Sequence, residues 1–298
     1  MISVGRILEG AFGVFREHFT AVAIWAGIYF ACNMAMVLAM QPMLSAAANP
    51  ALSQDPAAAV SAMGSMSLLG FLTAIVGVVL YTASMRSVLR PDAGGIAFLR
   101  LGMDELRTLG LFLLFLFVGV VLFFAASLIT GLFIGGLATS SESMVLTVIL
   151  SLLVGLVVFG ALLFLTVRFS LAFPLTLHRQ AFAIGEAWRL SRGHFWKLFG
   201  AALVVTLIGF VLSIAINLVA AGGYFADVLA AMNDPEASVR VAERQAAAIG
   251  SFNTMMILQS IGGAAVAAVW LALSGGSVAS AARLLVDDEF NDAEDVFG

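Results

Sequence analysis

Six apolar stretches without a single Asp, Glu, Lys or Arg constrain this chain more than any other feature: Thr20 to Met40, Leu68 to Met85, Thr108 to Leu132, Met144 to Thr166, Phe199 to Ala221 and Phe252 to Ser274. A bilayer core about 30 Å thick is crossed by about 20 apolar residues in a helix rising about 1.5 Å per residue. The stretches are too long for ordinary strands and lack the two-residue alternation of a barrel wall, so they read as helices. A soluble fold covers its surface with about 25% charged residues; here 11% are charged and 62% hydrophobic, with a mean hydropathy of +1.07. The expected fold is all-α: a polytopic membrane helix bundle of six transmembrane helices with amphipathic interfacial helices, in one membrane domain over residues 1–298.

Orientation follows from the cations, because loops rich in Lys and Arg stay on the cytoplasmic side. Twelve of the 14 Lys and Arg residues fall on the side of the amino terminus, and only Arg240 and Arg244 fall on the other. Both termini are therefore expected in the cytoplasm, with external loops at Gln41 to Ser67, near Ser140 to Ser143, and at about Phe225 to Ser251. The last of these carries Asp234, Pro235, Glu236, Arg240, Glu243 and Arg244 and is expected to hold a short surface helix. The first run is a retained span rather than a cleaved signal peptide, whose apolar region is only about 7 to 15 residues long. Cys32 is the single cysteine, so no disulfide forms within the chain. A net charge of −4 and a pI near 5.3 leave no basic surface for nucleic acid.

Ahead of the first span, Val4, Leu8, Phe12, Phe15 and Phe19 recur at helical spacing opposite Arg6, Glu9, Gly13, Arg16 and Glu17. Such a helix suits the membrane interface, apolar face in the acyl boundary and charged face in water. Ile184, Trp188, Ser191, Phe195 and Leu198 repeat the stripe before the fifth span. Ala11, Phe12, Val14, Arg16, His18 and Phe19 align with Ala187, Trp188, Leu190, Arg192, His194 and Phe195 at a constant offset of 176. A fainter copy begins at Ala97 and Phe98, with Ile96, Leu99, Met103 and Leu106 on one stripe and Arg100, Asp104 and Arg107 beside it. The spacing predicts a threefold internal repeat of about 88 residues, each unit an interfacial helix and a two-span hairpin, over approximately 1–90, 91–180 and 181–285. Residues 286–298 form an acidic cytoplasmic tail, expected to be flexible and solvated.

Chemistry-bearing groups are sparse. An ionised side chain near the bilayer centre costs about 2.5 to 3.5 kcal/mol on insertion scales and marks function; none stands near a span centre. The neutral residues Asn33, Asn217 and Gln259 are the intramembrane polar candidates, either lining a cavity or bonding between helices. Arg168, Arg192, His194 and Lys197 bracket the exit of the fourth span and the start of the fifth, an arrangement suited to an anionic headgroup; anchoring of Arg168 by snorkelling is the competing use. His18, His178 and His194 lack metal-ligand spacing, and no phosphate-loop, nucleophile-elbow or dinucleotide pattern is present. No catalytic residue, cofactor or metal is expected. Small residues on the sixth span, Ser260, Gly263, Ala264, Ala267 and Ala268, permit close packing within the bundle or self-association. Gly275 and Gly276, just beyond, are expected to bend the helix or let its extension turn along the surface.

Arg168 and Pro174, followed by Glu186, Ala187, Trp188, Leu190, Ser191, Gly193, His194 and Phe195, resemble a family of bacterial multi-span inner-membrane proteins related to the membrane domain of anchored glycerophosphodiester phosphodiesterases. Gly5, Arg6, Ile7, Leu8, Ala11, Phe12, Phe15, Arg16 and Phe19 match it more weakly. The resemblance implies the bacterial inner membrane and the six-span layout. In family members that hydrolyse phosphodiesters, catalysis belongs to a separate soluble domain, and no loop here can hold a barrel of about 250 residues, so the hydrolase activity is not carried over. The leading expectation is a non-enzymatic envelope or lipid-associated accessory, scaffold or regulator whose partners are membrane lipids, with a homo-oligomer or a membrane partner protein left open. The alternatives are a transporter or channel for a neutral or amphiphilic solute, and the membrane subunit of an enzyme with a soluble partner.

Overall fold

The computed structural model describes residues 2–48, 56–93, 95–140, 144–231 and 254–297. They form α1 (Val4–Glu17), α2 (Phe19–Ala48), α3 (Pro56–Leu89), a 3-10 turn (Ile96–Phe98), α4 (Met103–Ser140), α5 (Met144–Phe169), α6 (Ala172–Arg179), α7 (Ile184–Leu190), α8 (Phe195–Ala231) and α9 (Thr254–Phe297), and no strand occurs among the described residues. Six of these elements, α2, α3, α4, α5, α8 and α9, contain the expected spans and are long and apolar enough to cross a membrane. The helices overrun the expected loops: Gln41 to Ala48 and Pro56 to Ser67 are helical, and α8 continues to Ala231. Asp234, Pro235, Glu236, Arg240, Glu243 and Arg244, with the surface helix expected there, lie outside the described residues.

The axis of the bundle is α9, which packs against α1, α2, α3 and α8. Its small residues make this geometry attainable. Ala264, Ala268, Ala272, Ala279 and Ala282 are buried along it, so neighbouring backbones approach closely, as small-residue stripes allow. The helix α9 runs through Gly275 and Gly276 without interruption. A Cβ on Gly275 would collide with the Ser84 hydroxyl of α3, and one on Gly276 would stand 3.1 Å from the Ala11 Cα of α1. The two glycines remove bulk where α3 and α1 cross α9. Of the stripe named from the sequence, Ala264 and Ala268 are used in packing within the bundle, while Ser260, Gly263 and Ala267 remain half-buried. The α9 backbone remains helical to Phe297, and Leu285 and Val286 are buried. A helix already nucleated and packed extends at little further cost.

The interfacial elements depart from a uniform repeat. Helix α1 is amphipathic, but Ile7, Ala11 and Val14 bury a third face against the bundle core. Phe12 and Phe19 remain exposed, and Arg6, Glu9, Arg16 and Glu17 occupy the remaining exposed sector. The stripe from Ile184 to Leu198 is not one helix: α7 ends at Leu190, Gly193 takes φ +78°, and α8 begins at Phe195. Glycine tolerates that left-handed backbone without a Cβ penalty. In the copy around Ala97, residues 96–102 form a 3-10 turn and an extended segment, and helix begins only at Met103 with α4. The first and last copies do share one feature, for the spans begin at the aligned residues Phe19 and Phe195.

Hairpin connectivity brings the cation-bearing helix ends together. Leu89, Pro91, His178 and Arg283 line one cavity of about 340 Å³, and Glu9, His18, Ser87 and Arg283 line a neighbouring one of about 270 Å³. The start of the chain, the α3–α4 and α5–α8 connections and the stretch of α9 around Arg283 therefore share one pole of the bundle, the basic end.

Candidate functional site

At the basic end, α3 presents Arg86 and Arg90 one helical turn apart, and α4 opens with Asp104, Glu105 and Arg107. Arg86 is almost fully enclosed and forms a tight ion pair with Glu105 through Nη2. Its Nη1 donates to the Phe98 carbonyl at 2.7 Å. Glu105 also accepts from the backbone N–H of Gly102 at 3.0 Å, which is the return arm of a capping box and places acidic charge in the first turn, where the helix dipole favours it. Asp104 accepts from Arg90 at 3.1 Å and from Arg107 at 3.4 Å, and Arg90 donates onward to the Leu177 carbonyl of α6 at 2.7 Å.

The same network explains why Ile96–Phe98 is not a helix. Ala97 and Phe98 have φ of 54° and 59°, a conformation costly for side-chain-bearing residues that persists only when the surroundings impose it. Both carbonyls are captured from outside: Trp25 Nε1 donates to that of Ala97 at 3.1 Å, and Arg86 to that of Phe98. Sequence reasoning treated Arg86 and Arg90 only as topology signals, placed Asp104 and Arg107 on the polar side of a repeat copy, and passed over Glu105. The available signal was a pair of adjacent carboxylates inside an otherwise basic connection.

Of the four anionic-lipid candidates, Arg168 is committed elsewhere. Its Nη1 donates to the Trp188 carbonyl at 3.2 Å and the Ser191 hydroxyl at 3.3 Å, and its guanidinium lies 4.5 Å from the Trp188 ring centroid and 5.3 Å from that of Phe164. It ties α5 to the α7–α8 turn. Its Nε is buried without a partner. Arg192 and Lys197 are exposed on that turn and at the start of α8, whereas His194 is half-buried with Nδ1 unpaired. Phe195, Trp196 and Phe199 form an aromatic cluster there, joined to Trp188 through Phe164, with Trp196 76% exposed. Aromatic rings of this kind favour the headgroup level of a bilayer.

The intramembrane polar candidates stand on three different helices, α2, α8 and α9. Asn217 is exposed on α8 and bonds within its own helix, to the Ser213 carbonyl at 2.7 Å and hydroxyl at 3.4 Å. It lines a cavity of about 250 Å³ with Gly263 and Trp270, which neither Asn33 nor Gln259 reaches. Asn33 is half-buried on α2, and Gln259 is exposed on α9.

A cavity of about 480 Å³ opens between α4 and α5, backed by Tyr81 of α3 and Phe173 of α6. Its wall is almost wholly apolar. No sequence signal distinguished it, since its residues have the same character as those of every other span.

These features define the class: a multi-span α-helical membrane protein whose basic end is locked by a buried ion network. No family model, curated protein or solved structure matches the chain.

Proposed function

We propose that this chain is a non-enzymatic protein of the bacterial inner membrane, built from parallel units with both termini in the cytoplasm, and that it acts as a lipid-associated accessory, scaffold or regulator of the envelope. The observation that carries this reading is the division of labour among cations at the basic end. Arg86, Arg90 and Arg168 direct their guanidinium groups at carboxylates and backbone carbonyls of neighbouring elements. They hold the frame. Arg192 and Lys197 stay exposed beside Trp196, a basic and aromatic rim with the chemistry of an anionic-headgroup contact. The lopsided distribution of cations along the sequence supports the cytoplasmic assignment of that end. The resemblance to phosphodiesterase-associated membrane domains supports the bacterial setting.

Gentle extraction followed by mass spectrometry of retained lipids and proteins tests the reading. Enrichment of anionic phospholipid without a stoichiometric soluble enzyme is expected. Turnover of a phosphodiester or lipid ester by the purified chain, abolished by a point substitution, would overturn it.

A further inference from the structure

Along α4 the cavity wall runs from Leu114 to Leu122, and along α5 from Leu162 to Ser170. Each run covers about 12 Å of helix at about 1.5 Å per residue. Half the hydrocarbon core is about 15 Å, so the crevice has the depth of one leaflet. It is also polarised. Ser170, at the end of α5, and Tyr81, whose ring meets Phe173 of α6 at 5.8 Å between centroids, stand toward the basic end. Val118, Gly119, Leu122 and Leu162 form the deep part, without a polar side chain.

The hydroxyls differ in what they can still do. Thr166 and Ser170 donate back to carbonyls of their own helix, Leu162 and Val167, each at 2.8 Å. Tyr81 donates to none of the described residues. A phenol in an apolar wall normally finds an acceptor, and small-molecule sites commonly combine an apolar lining of about 300–1,000 Å³ with a few polar groups that fix orientation.

We propose that the α4–α5 crevice seats one acyl chain of a glycerolipid from the leaflet at the basic end, with its ester carbonyl accepting from the Tyr81 hydroxyl and its tail running toward Leu122. The polarity gradient selects this occupant, since an ester at the mouth and methylenes below match the wall at both levels. The inference rests on the membrane reading above but not on the chain being non-enzymatic.

The test uses the full chain in phosphatidylethanolamine and phosphatidylglycerol nanodiscs doped with a glycerophospholipid bearing a diazirine at mid-chain. After irradiation, adducts are mapped by mass spectrometry. They are expected to concentrate on 114–122 and 162–170 relative to the outward residues Phe123, Phe124 and Leu128. A Cβ at Gly119 meets nothing within 4 Å, so Gly119→Trp fills the crevice with little disturbance and should reduce the crevice labelling to the outward-face level. Val118→Trp provides a second filling variant should the first fail to fold. Tyr81→Phe should weaken crevice labelling about five-fold, the loss of one hydrogen bond. Even labelling of all outward faces, labelling indifferent to crevice filling, or an isoprenoid recovered in place of an acyl chain would each overturn the proposal. Catalytic turnover would sink the proposed function while leaving this result standing, and release of the chain from membranes without detergent would sink the membrane reading itself.

Discussion

Arg86, near the end of α3, and Glu105, in the first turn of α4, face each other as an ion pair with side chains only 2% and 7% exposed. The pair joins two helices across the strained turn at Ala97 and Phe98, and Glu105 simultaneously closes the amino terminus of α4. Removing Arg86 leaves the Glu105 charge buried without its cation, which costs about 3–5 kcal/mol, whereas removing Glu105 leaves Arg86 only the longer 3.8 Å pairing with Asp104 and its bond to the Phe98 carbonyl. Arg86→Met and Glu105→Leu should each lower thermal stability in detergent strongly. The double variant should lose less than the sum by about 0.5–3 kcal/mol, because the two residues act together. Strict additivity in a thermal-unfolding cycle would refute this.

Trp25→Phe keeps most of the ring but removes the indole donor, leaving the Ala97 carbonyl without its partner. The expected cost is about 1–3 kcal/mol. The earliest sign should be faster limited proteolysis between Gly95 and Gly102, with the spans still protected.

Crowding sets opposite outcomes for two glycines. Gly275→Val should disrupt the crossing of α9 and α3, since the new side chain meets Ser84 and Tyr81, and overpacking costs about 1–3 kcal/mol. Gly13, with nothing within 4 Å of a Cβ, lies inside α1, so Gly13→Ala should stabilise by about 0.5–1 kcal/mol through helix propensity. Differential scanning fluorimetry of the two variants side by side separates these effects.

Arg168 and Arg192 should separate as well. Arg168→Gln removes the tie to Trp188 and Ser191 and should lower stability irrespective of lipid composition. Arg192→Gln with Lys197→Gln should leave stability nearly unchanged and reduce co-purified anionic phospholipid. An equal loss of lipid from both variants would argue that Arg168 is itself a headgroup ligand.

The spans were legible because each depends on a one-dimensional property: a run of about 20 apolar residues is long enough whatever its neighbours do. The break before Phe195 carried a local signal as well, in Gly193, although the stripe pattern hid it. The third copy around Ala97 misled because helical periodicity cannot foresee that Trp25 and Arg86, distant in the chain, will capture its carbonyls.

By itself the sequence determined the all-helical class, the number of apolar crossings and the segregation of cations to one pole, since hydropathy, helix length and charge count are additive along a chain. Tertiary structure alone decided that α9 is the axis, that Arg86 meets Glu105, that Arg168 braces a turn, and that α4 and α5 part to leave a crevice. Those outcomes depend on which side chains meet at crossings between helices, and contact across space is not encoded by any local run of residues.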